Sequence, residues 1–463
     1  MKRGGSPSPT WLPHFDRGAG PFYLAIADAL EADIRAGRLP EGTRLPPQRR
    51  LAESLDIDFT TVSRAYAEAT RRGLVEGRVG QGTFVRSPAP AARGHSRADL
   101  AMNLPPQPAD PALLTRMWGG IGGLREAGGM ELLLRYQEAG GAAMDRAAGL
   151  RWLSPRLGVV EPERLLVCAG AQGALLAAAS VLARPGDSIC AEMLTYPGFR
   201  ALAAQIGLNI LGLPMDQDGL LPEAFDAACR TERPKALYCI PTLHNPTTAT
   251  MPLERRRAVL AVARKHGVPV IEDDAYGMLP EGGPPPLAAL APELVFHVSG
   301  LAKCLSPALR IAYLVTPGGR AAGRAAAAIR ATTGMASPLT AAIASRWIED
   351  GTAAAVLREI RQETTARAAI AARLLPAGLA RGDAASFHLW LRLPSFWSRG
   401  ELVARLGGAG MAVVGSDAFA VADPPEAVRI GLGAARGKVE LREALLRLAD
   451  LLSEPPALSS MVI

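Results

Sequence analysis

The chain has 463 residues, of which 49% are hydrophobic, and its 51 Lys and Arg exceed its 44 Asp and Glu to give a formal net charge of +7. This length suggests about three domains with a full hydrophobic core, and the positive charge is compatible with an anionic partner. Residues 1–10 lack the apolar core of a secretory signal, and no apolar run is long enough to span a membrane, so we expect a cytoplasmic protein without a membrane segment. The five cysteines lie in or beside apolar segments without CxxC spacing, which argues against a disulfide framework and a zinc site.

Three amphipathic helices followed by two short strands are predicted in the first 86 residues. Apolar residues at helical spacing predict the first helix over residues 21–36. The second helix opens near Pro46, because proline suits a first helical turn. The third helix runs from about residue 60 to residue 72, and a glycine-containing hairpin joins strands at residues 74–76 and 83–85.

This order of elements predicts a winged helix–turn–helix domain whose third helix enters the major groove of double-stranded DNA. A merely solvated helical face is the alternative interpretation of the charges on that helix. The agreement of element order, turn residues and wing glycines favours DNA binding. Residues 87–98 are rich in proline, alanine and serine, and they predict a semi-extended linker between this domain, residues 1–86, and the rest of the chain.

Four stretches of this domain resemble the DNA-binding domain of GntR-type bacterial repressors, namely residues 34–39, 42–46, 60–66 and 80–85. Phe59 departs from the family pattern, because the family often has arginine at that position. The resemblance implies that DNA is contacted from the second helix, the third helix and the wing by Arg49, Thr60, Thr61, Arg64, Arg78 and Gly82.

From residue 165 onward, short apolar runs alternate with longer helical patterns. This alternation predicts an α/β domain over residues 99–463, with a mostly parallel sheet covered by helices on both faces. We expect the large sheet in about residues 160–320, and a smaller subdomain in about residues 321–455 together with 99–159. The predicted strands are residues 165–167, 188–190, 210–213, 236–240, 268–271, 294–298 and 311–315.

A lysine and an arginine stand between two of these predicted strands. Lys303 follows the run 294–298, and Arg310 precedes the run 311–315, at a sheet edge where ligands bind in this class of fold. A lysine removed from water there has an amine that is neutral often enough to attack an aldehyde, and a nearby arginine can hold a phosphate bidentately. The pair is the minimum needed to hold pyridoxal phosphate (PLP) covalently, and the alternative is an ordinary solvated lysine.

Three further strand ends carry residues suited to the same ligand. The glycine-rich turn 169–173 opens a helix and can bind a phosphate through free N–H groups, although any tight turn favours glycine. Tyr196 could stack on a planar ring or fill the core. Asn245 could donate a hydrogen bond to a phenolate oxygen, although Asn-Pro is also ordinary turn chemistry.

Charged residues at two more strands extend the pattern. The acidic run 272–274 follows the predicted strand 268–271, where three carboxylates repel one another unless a cation is present. A protonated pyridine nitrogen is such a cation. The competing interpretation is a divalent metal, which is disfavoured because no His or Cys joins the run. We therefore expect no metal site. Strand alternation puts Arg429 on the face opposite Val428 and Ile430, where it could bind a substrate α-carboxylate or form a structural salt bridge.

Taken in this order, the residues resemble the fold-type I aminotransferases of the aspartate aminotransferase superfamily over about residues 100–455. The resemblance implies that Lys303 forms the internal aldimine with PLP and, in an enzyme, moves the α-proton, while Arg429 binds the substrate carboxylate. Gly300 and Ala302 stand where the family usually has hydroxyl residues, and Thr248 stands where it has glycine. The other implied cofactor contacts are Asp273 with the pyridine nitrogen, Tyr276 and Asn245 with the ring oxygen, Tyr196 with the ring face, Ala171, Gln172 and Arg310 with the phosphate, and Tyr136 with the phosphate of a neighbouring subunit.

A winged helix domain joined to an aminotransferase-like domain resembles the MocR subgroup of GntR-type transcriptional regulators over nearly the whole chain. The resemblance implies a PLP-dependent regulator that forms a homodimer. It further implies that an amine or amino-acid effector displaces the lysine as an external aldimine, and that closure of the small domain changes how the two DNA-binding heads are held. Two alternatives stay open: an active aminotransferase with a vestigial or secondary DNA-binding head, and a ligand-responsive repressor that binds no PLP.

Overall fold

The computed structural model describes residues 11–13, 21–36, 38–40, 42–72, 74–78, 82–85, 98–124 and 136–455. The chain divides into two compact units, Met1–Ser96 and Arg97–Ile463, which we describe separately.

The N-terminal unit contains the predicted three helices and hairpin. The third helix begins after Asp58, whose side chain accepts a hydrogen bond from the Thr60 N–H at 2.7 Å. Apolar side chains of all these elements form one buried core, which includes Leu51, Val62 and Val75. The bounds are α1 Phe22–Arg35, α2 Gln48–Leu55, α3 Phe59–Arg71, β1 Val75–Arg78 and β2 Gly82–Val85, with the two strands antiparallel.

The C-terminal unit alternates strands and helices through its first half and then forms a smaller subdomain. Its helices are α4 Pro111–Gly122, α5 Ala143–Leu157, α6 Gly170–Leu182, α7 Pro197–Gln205, α8 Pro222–Thr231, α9 Leu253–His266, α10 Leu287–Leu290, α11 Gly319–Thr332, α12 Pro338–Glu349, α13 Thr352–Leu374, α14 Arg399–Gly408 and α15 Lys438–Ser453. Its strands are β3 Ala98–Asp99, β4 Leu165–Cys168, β5 Ser188–Glu192, β6 Asn209–Leu213, β7 Met215–Asp216, β8 Gly219–Leu220, β9 Ala236–Cys239, β10 Val270–Asp273, β11 Val295–Gly300, β12 Ala312–Val315, β13 Ala380–Gly382, β14 His388–Arg392, β15 Met411–Ala412, β16 Val414–Gly415 and β17 Ala427–Gly431.

The predicted mostly parallel sheet is confirmed, with seven strands in the order β4-β12-β11-β10-β9-β5-β6. Only β12 runs antiparallel to its neighbours in this sheet. The predicted strand bounds differ from the observed ones by at most two residues, and β10 is shifted as a whole, because it covers Val270–Asp273 and not 268–271. Pro269 has no N–H to donate to the ladder, so the strand starts after it and the first two carboxylates of the acidic run lie inside the strand.

A second sheet, β13-β14-β17-β16, is antiparallel throughout and forms the core of the smaller subdomain. In β17 the side chains of Val428 and Ile430 pack into a core that includes Leu441 and Leu445 of α15. Arg429 lies between them in sequence and therefore points to the other face of this sheet, as predicted. Among the described residues, no helix is long and apolar enough to cross a membrane.

Candidate functional site

Lys303 lies in a turn directly after β11, at the carboxyl-terminal end of that inner strand of the large sheet. Its Nζ donates a hydrogen bond to the backbone carbonyl oxygen of Asn103. The pKa of Lys303 is lowered to about 8, chiefly because the amine is removed from water; the positive charge of Arg429 adds to the shift, and the negative charge of Asp273 opposes it. A substantial fraction of this amine is therefore neutral near physiological pH.

Asp273 ends β10, and its side chain is 3% exposed. The Tyr238 hydroxyl donates to its Oδ2 at 2.9 Å, whereas its Oδ1 is buried and has no hydrogen-bond partner among the described residues. Burial raises the pKa of Asp273 to about 6, with the hydrogen bond from Tyr238 opposing the shift. A buried carboxylate oxygen without a donor is costly, and a protonated ring nitrogen would pair with it.

The other two carboxylates of the acidic run have partners of their own, while the charge of Asp274 still adds to the raised pKa of Asp273. Glu272 accepts from the Leu287 and Ala288 N–H groups at 2.7 and 3.0 Å, and His297 Nδ1 lies 2.9 Å from it. Asp274 forms an ion pair with Arg156 at 3.1 Å.

A histidine does join this region, contrary to the expectation from the run alone. Burial opposes protonation of His297, but the contact with Glu272 prevails and raises its pKa. Within the part of the chain that the structure describes, no group of three or more His, Cys, Asp or Glu side chains is arranged to hold a metal ion.

Arg310 lies beside the first turn of α6. A Cβ atom built on Gly170 would come within 3.2 Å of the Arg310 guanidinium, so glycine leaves the room that this side chain needs. Gly170 has φ +74°, and no side chain caps the N-terminus of α6. Free N–H groups, the positive end of the helix dipole and a guanidinium together suit a phosphate.

The two residues that follow Gly170 make contacts of their own. Gln172 donates from Nε2 to the Gly198 carbonyl oxygen at 2.8 Å, so this donor is already used, and its buried Oε1 has no partner among the described residues. Ala171 lies against Gly300, where an added Cβ would approach the Ala171 Cβ to 3.3 Å. That close approach favours glycine at position 300.

Arg429 reaches the loop that carries Asn245. Its Nη1 donates to Asn245 Oδ1 at 3.0 Å and its Nη2 donates to the Ala101 carbonyl oxygen at 2.7 Å. Its buried Nε has no partner among the described residues, and burial lowers its pKa. None of these partners is a carboxylate, which disfavours the structural salt bridge and leaves a guanidinium suited to a ligand carboxylate.

Two tyrosines predicted to contact the cofactor lie in the same region. Tyr276 is buried, which raises its pKa, and its hydroxyl accepts from Asn103 Nδ2 at 2.8 Å. Tyr196 is half-buried; burial raises its pKa, Asp273 adds to this shift, and the positive charges of Arg310 and Arg429 oppose it.

Tyr136 is 96% exposed, and it makes none of these contacts with the residues that the structure describes. Such an exposed aromatic side chain fits the implied role at a neighbouring subunit, which remains a prediction.

Three residues of the region were missed from the sequence. Asn103 contacts Lys303 and Tyr276 from a segment with no periodic pattern. Tyr238 lies inside a predicted strand, and only the pairing of β9 with β10 brings it to Asp273. His388 of β14 lies 3.2 Å from the His244 carbonyl oxygen through Nε2, with its ring 5.4 Å from that of Tyr276.

In the N-terminal unit, the predicted DNA-contacting residues lie on α2, on the first two turns of α3 and on the hairpin. Arg49 is exposed on α2, with its guanidinium 5.9 Å from the ring of Phe59, which is itself 43% exposed. Arg64 is exposed on α3 and stacks on the Tyr23 ring at 4.3 Å. Thr60 and Thr61 lie in the first turn of α3, Arg78 ends β1 and Gly82 opens β2.

Comparison with known proteins assigns a family to each unit. The family described as bacterial regulatory proteins, gntR family, matches residues 22–85, and aminotransferase class I and II matches residues 124–448. The chain is 30% identical over 456 residues to YdeF, an uncharacterised HTH-type transcriptional regulator of Bacillus subtilis strain 168, covering 96% of this chain and 97% of YdeF. The chain belongs to the MocR-type GntR regulators.

Two further similarities agree with this membership. The probable rhizopine catabolism regulatory protein MocR of Rhizobium meliloti is 27% identical over 327 residues, covering 64% of this chain and 68% of MocR. The α-aminoadipate aminotransferase LysN of Thermus thermophilus, solved with N-(5'-phosphopyridoxyl)-L-leucine, matches 80% of this chain and 94% of its own with a TM-score of 0.69 and 25% identity. MocR-type regulators thus combine a DNA-binding domain with the fold of PLP-dependent aminotransferases, and the residues above fit that cofactor.

Proposed function

We propose that this MocR-type regulator binds PLP through Lys303 and changes its affinity for DNA when an amine or amino-acid effector reaches the same site. The observation that carries the proposal is the convergence of a lysine amine of lowered pKa with a buried Asp273 oxygen that has no hydrogen-bond partner among the described residues. These two groups match the two ends of PLP that the family uses, the aldehyde carbon and the ring nitrogen.

The residues around this pair supply the other contacts that the cofactor needs. The N–H groups of Ala171 and Gln172 and the guanidinium of Arg310 would hold the phosphate. Tyr276 and Asn245 would hold the ring oxygen, and Tyr196 would cover the ring face. Their grouping within one region supports this assignment.

When PLP is bound, its aldehyde carbon exchanges the oxygen for an amine nitrogen, releasing water, and this exchange is the chemistry the cofactor supplies. Lys303 provides the resident amine, and its lowered pKa keeps it reactive at neutral pH. Asp273 holds a proton on the ring nitrogen. Arg429 binds and orients the carboxylate of an amino-acid effector, since no protein carboxylate already pairs with it among the described residues.

At the N-terminal unit we propose that α3 reads the major groove through Thr60, Thr61 and Arg64, with Arg49 and the hairpin contacting the backbone. A protein that binds chromosomal DNA in bacteria works in the cytoplasm. We further propose a homodimer, so that two heads bind two half-sites and the exposed Tyr136 reaches the partner.

The test is covalent capture of the cofactor in the full-length chain. Purified protein is mixed with PLP, its visible absorption is recorded, and borohydride is added before peptide mass mapping. We expect the label on Lys303, no fixed label in Lys303→Ala, and normal labelling in Lys235→Ala, which removes an exposed lysine. Protein that stays colourless with PLP and gains no label would refute the proposal.

An active aminotransferase is a second candidate, because Lys303, Asp273 and Arg429 all lie in one region, as transamination requires. It predicts keto-acid production from an amino acid at enzymatic rates and no specific binding to the DNA upstream of its own gene. The regulatory function predicts specific binding to that DNA, and it predicts that this binding is altered by an amino acid that also changes the visible absorption of the bound cofactor.

A further inference from the structure

One buried tyrosine holds the carboxyl group of Asp273. Tyr238 lies on β9 and is fully buried. The register of β9 with β10 places it opposite Ile271, so Asp273, two residues further along β10, lies on the same face of the sheet as Tyr238. The Tyr238 hydroxyl spans this offset and donates to Asp273 Oδ2 at 2.9 Å. The pairing of the two strands therefore brings this donor to the carboxyl.

The Tyr238 hydroxyl is committed to this one acceptor. A phenol has a single proton to donate. Burial raises the pKa of Tyr238 well above its ordinary value, so the proton stays on the oxygen. A second buried carboxyl near the tyrosine, that of Glu192, accepts instead from the Ile240 N–H at 3.0 Å. Within the described part of the chain, Tyr238 is the one side chain that donates a hydrogen bond to Asp273.

An aromatic stack fixes the ring that carries this hydroxyl. The rings of Phe199 and Tyr238 lie face to face, with their centroids 3.7 Å apart and their planes 7° from parallel. Phe199 lies on α7 and is itself fully buried. Because the stack leaves no room beside the tyrosine ring on that side, the hydroxyl is presented to Asp273 in one direction.

The turn that carries Phe199 also carries the residue proposed to cover the ring face. The Phe199 N–H donates to the Tyr196 carbonyl oxygen at 3.0 Å, and a Cβ atom on Gly198 would overlap the Tyr196 ring. Gln172 Nε2, from the first turn of α6, donates to the Gly198 carbonyl oxygen at 2.8 Å. This turn is therefore fixed to the proposed phosphate site, and it supports Tyr196 directly and Tyr238 through Phe199.

A carboxyl held in this way offers one particular oxygen to a ligand. An aspartate that can rotate about its last bond exchanges its two oxygens, and the hydrogen bond at Oδ2 removes that freedom. Oδ1 of Asp273 is buried and has no hydrogen-bond partner among the described residues. Burial raises the pKa of Asp273, and the hydrogen bond from Tyr238 opposes this rise because it favours the ionised form.

We propose that Tyr238, supported by Phe199, is a positioning residue for the cofactor, which holds the Asp273 carboxyl so that Oδ1 is left to pair with a protonated nitrogen in a flat ring. This inference rests on the proposed function, since it needs a cofactor whose ring nitrogen lies at Asp273. It adds that Tyr238 acts through this nitrogen and not through the fold of the site.

The first test compares PLP with an analogue in which carbon replaces the ring nitrogen, each measured by equilibrium dialysis against the full-length chain. Tyr238→Phe keeps the aromatic ring and removes only the hydroxyl. We expect Tyr238→Phe to weaken PLP binding about tenfold, the effect of one hydrogen bond to a charged group, without weakening binding of the analogue. Tyr313→Phe, which removes the hydroxyl from a buried tyrosine of β12, should bind both compounds as the unmodified chain does.

The outcomes of this test separate the inference from the proposed function. Equal weakening of PLP and of the analogue in Tyr238→Phe would show that the hydroxyl only maintains the fold, and it would overturn the inference. Unchanged PLP binding in Tyr238→Phe would overturn it as well, and both results leave the proposed function standing. An unmodified chain that binds no PLP would refute the proposed function itself.

The second test needs no cofactor. The free energy of unfolding in urea is compared with that of the corresponding Asp273→Asn chain as the pH rises, with and without Tyr238→Phe. The protonated carboxyl stabilises the folded chain, and this stabilisation is lost as the pH rises through the folded pKa of Asp273. Removing the donor raises that pKa, so the loss should occur about one pH unit higher in Tyr238→Phe. A midpoint that is unchanged or lower would overturn the inference.

Other titratable groups interact with Asp273 from the elements packed around it, and Tyr238→Phe alters none of them. They are Glu192 of β5, Cys239 of β9, His297 of β11, and Tyr196, Asp274, Tyr276 and Lys303 outside the strands. A shifted midpoint in this variant therefore reports the lost hydrogen bond.

The third test separates support of Tyr238 from packing in general. Phe199→Leu removes the stacked ring and leaves the Tyr238 hydroxyl, whereas Phe225→Leu removes an equally buried phenylalanine of α8. Both variants should lose stability because each leaves a cavity. Only Phe199→Leu should weaken PLP binding, and by less than Tyr238→Phe does. Equal PLP affinity in Phe199→Leu and Phe225→Leu would contradict the supporting role of Phe199.

Discussion

Replacing Asp273 with asparagine should make the C-terminal unit more resistant to unfolding at neutral pH while abolishing tight cofactor binding. The carboxyl is buried, and one of its oxygens has no hydrogen-bond partner in the described part of the chain, so its charged form is disfavoured in the folded chain. Asparagine keeps an oxygen that can accept from Tyr238 and cannot ionise. A carboxyl group that serves cofactor binding at a cost in stability should show both effects when it is replaced: a gain in stability and a loss of binding.

The magnitude follows from the pKa. Burial raises the pKa of Asp273 from 3.8 to about 6, so the folded chain holds this proton more tightly than the unfolded chain does. The stabilisation that the protonated Asp273 carboxyl gives the folded chain is complete below pH 3.8 and is lost as the pH rises through 6. A shift of about 2 units at about 1.4 kcal/mol each gives about 3 kcal/mol, by which the variant should gain on the unmodified chain between pH 4 and pH 8.

The assay is urea unfolding followed by tryptophan fluorescence, since five of the six tryptophans lie in the C-terminal unit and only Trp11 lies outside it. The difference in unfolding free energy is compared at several pH values, with Asp423→Asn as an exposed control. Saturation with PLP should reduce the difference in unfolding free energy between Asp273→Asn and the unmodified chain at pH 8, because the ring nitrogen then pairs with the Asp273 carboxylate. A difference that stays constant from pH 4 to pH 8 would refute the reasoning.

Three further predictions concern the two units separately. Arg64→Ala should weaken specific operator binding by about 1–3 kcal/mol if this residue contacts a base, as measured by fluorescence anisotropy at fixed salt. Unchanged affinity would show that Arg64 does not read the base sequence. The exposed Phe59 should contact a thymine methyl group, so replacing that thymine with deoxyuridine should weaken binding of the unmodified chain but not of Phe59→Ala. The pH midpoint for capture of PLP by Lys303 should lie near 8 and move upward in Arg429→Gln, because the guanidinium charge lowers the pKa of the lysine; a downward move would contradict this cause.

Much of this architecture could be predicted because its signals are local. Helical spacing and short apolar runs predicted the three N-terminal helices and the seven strands of the large sheet to within a few residues, and Lys303 and Arg310 stood out because they flank strand ends. The start of β10 was misplaced because Pro269 lacks the N–H that strand pairing requires. Such errors depend on a single backbone group and leave the topology unchanged.

The contacts missed from the sequence depend on register and on long-range packing. Glu272 meets His297 because the two are paired across neighbouring parallel strands, which the run of acidic residues alone does not reveal. Asn103 meets Lys303 across 200 positions of sequence. Gly433 is required by one carbonyl group of a distant segment, and its role cannot be distinguished from that of any loop glycine until the two backbones are seen together.

The charges of the site also determine which effectors can act as signals. An effector shifts an equilibrium only by its difference in affinity for the two states, so it must replace contacts that one state makes and the other does not. A simple amine that reacts at the cofactor displaces Lys303 but offers no carboxylate to Arg429. An amino acid with the same amine also offers a carboxylate to Arg429, so it should change DNA affinity more than the simple amine does at equal occupancy of the cofactor.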